Sequence, residues 1–163
     1  MLTAACATPQ QPAPIPVRIP VPAPAPRPAP PPPADWRDAP QTPGDWRWSS
    51  ASGSSQASYA VAGAPPLVTL TCDLPSRSVL LARVGDAVGA VPLTVRTTSS
   101  LRLLSSEPAA GRPGWITVRL AAHDPLLDGI AFSRGRFTVE VAGQAPLYLP
   151  SRPEIGRVIE DCR

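Results

Sequence analysis

Three cysteines, one histidine and fifteen basic residues, all of them arginine, are the groups through which this sequence could do chemistry. Cys6 stands near the start, Cys72 closes an alternating strand-like run, and Cys162 is the second-last residue. A cysteine/histidine zinc site needs closely spaced ligand pairs. There is no C-x-x-C here, and His123 is the single histidine, so neither a metal nor an organic cofactor is expected. Nucleophilic catalysis needs a nucleophile, a base and an orienting group. Asp124, beside His123, reads as a helix cap followed at once by Pro125, and Ser133 lacks the G-x-S-x-G elbow. Glu160 and Asp161 are adjacent and cannot face each other on a helix. No G-x-G-x-x-G or P-loop glycine pattern occurs. No catalytic residue is assigned.

The remaining chemistry is binding. Arg134 and Arg136 flank Gly135 at the turn into a strand, and a pair of guanidinium forks there could grip a carboxylate or phosphate. The plainer alternative is a solvated hairpin end with one arginine paired to Glu140. Trp46, Trp48 and Trp115 could form an aromatic binding surface, with core or sheet-face packing as the alternative. The formal net charge is +3. Before Trp46, Arg18, Arg27 and Arg37 cancel Asp35, Asp38 and Asp45, so the excess belongs to the residues from Trp46 onward. The arginines there are scattered singly, without the clustered footprint of a nucleic-acid binder.

These residues must be positioned by β-structure. Period-two alternation dominates after Gly44. Trp46 and Trp48 flank Arg47, and the serines around Gly53 read as a loop before a weak strand at Tyr59. Val68, Leu70 and Cys72 share one face, and residues 79–84 form a further strand. Val91, Leu93 and Val95 alternate with polar residues, as do Ile116, Val118 and Leu120, then Phe137, Val139 and Val141. Leu101 and Leu103 flank Arg102, and Leu147 and Leu149 close the series. The pattern predicts a mainly β protein, an antiparallel sandwich or barrel of 7–9 short strands. Two segments change period. Residues near 124–132 predict a short helix capped by Asp124. Residues 153–162 predict a C-terminal helix with Ile155, Val158, Ile159 and Cys162 on one face. Cys72 and Cys162 thus lie on buried faces, and a disulfide between them is predicted. Closing so long a loop stabilises by up to about 4–5 kcal/mol, and such a bond persists only in an oxidising compartment.

Proline divides the chain. Fifteen of the 25 prolines precede Trp46. Residues 8–34 read as a disordered, proline-rich tether, since proline has no N–H and a fixed φ, and polyproline II is its natural state. Extended, the forty residues between Cys6 and Trp46 span roughly 120 Å. Residues 35–163 read as one β-rich domain, with Trp36 of the repeated Asp-Trp-Arg expected to dock on it. Residues 1–7 resemble the end of a bacterial lipoprotein signal, with small residues before Cys6 as the lipidation site. The apolar body of such a signal is missing, so the start is expected upstream; cleavage after Ala5-Cys6-Ala7 and a cytosolic start are the alternatives. No apolar run approaches ~18 residues, the length of a membrane-spanning helix.

Ser133-Arg134-Gly135-Arg136-Phe137, then Leu147-Tyr148-Leu149-Pro150 and Glu154-Ile155 to Asp161-Cys162, resembles the C-terminal part of an uncharacterised family of exported proteins from Gram-negative α-proteobacteria. More distantly it is similar to invasion-associated locus B proteins, whose second cysteine pair has no counterpart here. The resemblance implies export, a β-sandwich and a disulfide, and carries no catalytic residues. The expectation is a non-catalytic envelope lipoprotein or periplasmic binding module, held to a membrane through lipid on Cys6, with an envelope protein or peptidoglycan as partner and no nucleic acid. A periplasmic enzyme or enzyme inhibitor is the alternative. Ligand identity and oligomeric state are not written in the sequence.

Overall fold

The computed structural model describes residues 35–51, 53–107 and 113–163. The chain divides into two units, Met1–Pro31 and Pro32–Arg163, and the described residues all belong to the second. Cys6 and the proline-rich stretch lie outside the described residues.

Among the described residues, the alternating runs become nine strands in two open antiparallel sheets, the expected sandwich rather than a closed barrel. The first sheet has the order β1-β2-β3-β4-β7: β1 (Asp45–Ala51), β2 (Ser54–Ala60), β3 (Val68–Asp73), β4 (Ser78–Val84) and β7 (Trp115–Ala121). The second runs β6-β5-β8-β9, from β5 (Pro92–Arg96), β6 (Leu101–Ser105), β8 (Arg136–Val141) and β9 (Leu147–Pro150). Residues directly opposite in a ladder share a face. Register therefore aligns Trp46, Tyr59, Val68, Arg83 and Ile116 in one inward row, and Trp48, Ala57, Leu70, Leu81 and Val118 in the next. Leu93, Val95, Phe137, Val139, Leu147 and Leu149 face them from the second sheet, all buried.

The serines of β2 depart from the sequence expectation of a loop. Serine is a weak strand former, but tertiary context outweighs propensity in sheets. Here pairing to β1 on one side and β3 on the other fixes the segment, and the β1–β2 hairpin turns at Gly53 with φ +77°. β6 also departs. Arg102 lies opposite Val95 and shares its inward face, which turns Leu101 and Leu103 outward, 54% and 68% exposed. Leu101, Leu103 and Leu104 offer apolar residues in both phases of the strand, so alternation alone could not choose.

Two helices pack against each other beside the sheets. Helix α1 (Pro125–Ala131) begins as expected: the Asp124 carboxylate accepts the Leu126 amide at 2.8 Å, with Pro125 at the first helical position. Helix α2 (Pro153–Asp161) has no side-chain cap at its start. It is held instead by Ile155, Val158 and Ile159, buried against β1, β2 and β3. That burial contributes about 5 kcal/mol. The Cys72–Cys162 disulfide then fastens its end to β3, with a Cα–Cα separation of 5.4 Å and both cysteines buried. No described helix is long and apolar enough to cross a membrane.

Candidate anion-binding cleft

Two turns meet at one end of the second sheet. Between β5 and β6, the Thr97 hydroxyl accepts the amides of Ser99 and Ser100 at 3.2 and 2.9 Å, and the Thr97 amide donates to the Ser100 carbonyl at 2.8 Å. A threonine folding back on its own turn in this way rigidifies it. Between α1 and β8, the buried Ser133 hydroxyl accepts the Thr98 amide at 3.0 Å and donates to the Arg136 carbonyl. The Arg134 amide in turn donates to the Thr98 hydroxyl at 3.1 Å. The two turns are stitched together, and each brings side chains to the same hollow. Gly129 of α1 lets the helix approach: a Cβ there would lie 3.4 Å from both Thr97 Oγ1 and Ser100 Oγ.

The hollow is an open cleft of about 1110 Å³. Arg37, Arg102 and Arg134 line it, with the Thr98, Ser99 and Ser100 side chains between them. Pro125, Leu126 and Phe132 form its apolar side. The arginines differ in their partners. Arg102 pairs with Asp124, and Arg37 pairs with Asp35 at 3.1 Å while lying 5.0 Å over the Trp36 ring. The Arg134 guanidinium has no ion pair or hydrogen bond to any described residue. Asp128 also borders the cleft but is paired with Arg163 at 2.6 Å. Among the described residues, Arg134 is therefore the uncompensated positive charge of the site.

Of the residues that sequence singled out for binding, Arg134 alone reaches this cleft. Arg136 is on β8, where its guanidinium donates to the Ala39 carbonyl and fixes the segment that leads into β1. Glu140 pairs with Arg96 at 3.5 Å, not with Arg136. Trp46 is a core residue and not a binding surface. It is buried, its indole N–H donates to the Pro150 carbonyl at 2.8 Å, and its ring packs against Tyr59 and Phe137. Trp48 is half-buried, but the Arg157 guanidinium covers its ring at 3.4 Å. Its N–H donates to Ser55 Oγ at 2.8 Å, and that hydroxyl donates to Asp161 at 2.5 Å. One ring face and the polar edge are therefore engaged in structure. Trp36 is half-buried and borders a groove with Arg96, Glu140 and Tyr148.

His123 is exposed on the turn before α1. Its neighbour Asp124 spends its carboxylate on the α1 cap and on Arg102. Among the described residues no group of three or more histidine, cysteine or acidic side chains converges as a metal site would require. Sequence reasoning missed Arg37 and Arg102, which are separated from Arg134 by long stretches of chain; the run of hydroxyls at 97–100 was the one local signal. The chain matches no family model, no curated protein and no solved structure.

Proposed function

We propose that this chain is a non-catalytic binding module of a bacterial cell envelope, held off a membrane by its proline-rich segment and anchored by lipid on Cys6. The observation that carries this reading is the buried Cys72–Cys162 disulfide. A bond of that kind, joining a strand to the last helix and closing 90 residues, belongs to an oxidising compartment. In this reading the proline-rich residues set the reach, and the β-domain engages a partner such as peptidoglycan or an envelope protein. The groups that a hydrolytic site would recruit support the non-catalytic part of the reading, because they are engaged in structure. Ser133 binds the Thr98 amide and the Arg136 carbonyl, and Asp124 caps α1.

The test is fractionation of cells expressing the chain from its native locus, followed by peptide mapping without reduction. Protein in the membrane fraction, acylated on Cys6 and carrying the Cys72–Cys162 crosslink, is the expected result. Free thiols at Cys72 and Cys162 in protein from cells would overturn the compartment, and unmodified Cys6 in soluble protein would overturn the anchor. Crosslinking in cells would then identify the partner.

A further inference from the structure

We infer that the cleft between the β5–β6 turn and the α1–β8 turn is a phosphate-binding site, with Arg134 as its principal ligand. Three guanidinium groups enter it from three separate segments: Arg37 from the turn before β1, Arg102 from β6, and Arg134 from the turn into β8. A carboxylate is planar and is satisfied by one guanidinium fork. A phosphate is tetrahedral, offers several acceptor oxygens, and suits donors arriving from different directions. The Ser99 and Ser100 hydroxyls line the cleft beside these arginines, within hydrogen-bond distance of Thr97 Oγ1. Arg102 and Arg37 each also hold a carboxylate and offer the N–H groups it leaves over, so among the described residues the unmet charge is that of Arg134. Its backbone amide is pinned to the Thr98 hydroxyl, which fixes where the side chain starts beside the cleft.

The apolar side of the cleft limits the class further. Phe132, 79% exposed at the end of α1, stands at the lip beside Leu126 and Pro125. An exposed aromatic next to arginines suits a phosphate ester that carries organic substance, not the bare ion alone. The phosphate of an anionic lipid headgroup and that of a soluble phosphate ester share this chemistry. The site is a property of the folded domain and stands whether or not Cys6 is acylated.

The experiment is an NMR titration of the full chain with glycerol 3-phosphate, paired with sedimentation on vesicles of phosphatidylcholine with and without phosphatidylglycerol. Saturable shifts confined to residues 36–38, 97–102, 126–129 and 132–136 are expected. Arg134→Ala should weaken binding about tenfold or more, since it removes a charge-assisted pair. Arg134→Lys should fall between that variant and the parent, keeping charge without the fork. Arg47→Ala, on the exposed outer face of β1, should change nothing, and circular dichroism checks that each variant is folded. Binding of glycerol 3-phosphate without the vesicles assigns a soluble ester; binding to phosphatidylglycerol vesicles alone assigns the headgroup. Absence of both, equal loss in the Arg134 and Arg47 variants, or acetate binding as tightly as the phosphate ester would overturn the assignment.

Discussion

Arg83, on the inward face of β4, donates a hydrogen bond across the sandwich to the Val139 carbonyl of β8 at 3.0 Å. A second of its nitrogens reaches the Ala145 carbonyl at 3.2 Å. Arg83 is 4% exposed and has no carboxylate partner among the described residues. It sits where alternation calls for an aliphatic residue, in the same row as Val68 and Ile116. Burial pulls its pKa below the ordinary arginine value, yet an arginine remains charged at any ordinary pH. The fork is thus a charged tie between the two sheets, held by carbonyl dipoles.

Arg83 leads to a prediction about the cost of a buried charge. Arg83→Met removes the charge and leaves the Val139 and Ala145 carbonyls short of donors, a loss of about 1–3 kcal/mol. Arg83→Lys keeps a charge in the interior but supplies a compact ammonium in place of the planar fork. The lysine variant should therefore be the less stable of the two, by urea denaturation at neutral pH. A lysine variant more stable than the methionine variant would mean that water reaches this position.

The disulfide should account for a large share of the domain's stability. Reduction, or Cys72→Ala with Cys162→Ala, restores the conformational freedom of a 90-residue loop, which costs about 4–5 kcal/mol. Helix α2 has no side-chain cap and depends on packing and this bond. Its amides should lose hydrogen-exchange protection first on reduction, ahead of the β3–β4 hairpin. Simultaneous loss of both would show that α2 is not a separate unit.

Much of this architecture was legible because the inward rows obey strict alternation. Ile116, Val118 and Leu120, or Phe137, Val139 and Val141, could hardly be anything but half-buried strands. The cap at Asp124 and the apolar face of α2 are local signals as well. What stayed hidden depends on partners distant in sequence. Ser55 reads as loop until its bond to Asp161 is seen, and β2 with it. Arg83 obeys the period but violates the expectation that inward positions are apolar. The cleft is invisible from any window: Arg102 and Arg134 come together through pairing of β5 with β6 and β8, and Arg37 joins them through the segment before β1, whose Ala39 carbonyl accepts from Arg136. Trp46 and Trp48 carried no signal to separate a binding surface from packing; the neighbours that decide it, Phe137 and Arg157, lie far along the chain.

The Trp48–Ser55–Asp161 chain of hydrogen bonds ties β1 and β2 to the end of α2, one residue before the half-cystine. Ser55→Ala breaks both links at once and strands a partly buried indole N–H and a carboxylate. The expected loss is about 1–3 kcal/mol. Arg157→Ala, which uncovers the Trp48 ring, should cost less, about 0.5–1 kcal/mol. It should also red-shift the tryptophan emission, because water then reaches the ring. The reverse ranking in thermal denaturation would place the strength of this corner in the cation–π contact.

Tyr59 sets an alkaline limit on stability. Its ring is fully buried, its hydroxyl donates to the Thr42 carbonyl at 2.6 Å, and it accepts from Gln41 at 3.3 Å. Removal from water raises its pKa, and the Gln41 hydrogen bond offsets only part of that rise. Folding therefore favours the neutral phenol. Below the ordinary tyrosine pKa both folded and unfolded chains hold the proton, and the contribution is fully present. As pH climbs past that value the unfolded chain releases its proton first, and the contribution is lost by the time the folded-state pKa is passed. Tyr59→Phe should cost about 1 kcal/mol at neutral pH through the missing bond to Thr42, and should flatten the decline of the urea midpoint through the alkaline range. If the phenylalanine variant declines as steeply as the parent, the alkaline loss arises from some other group than this phenol.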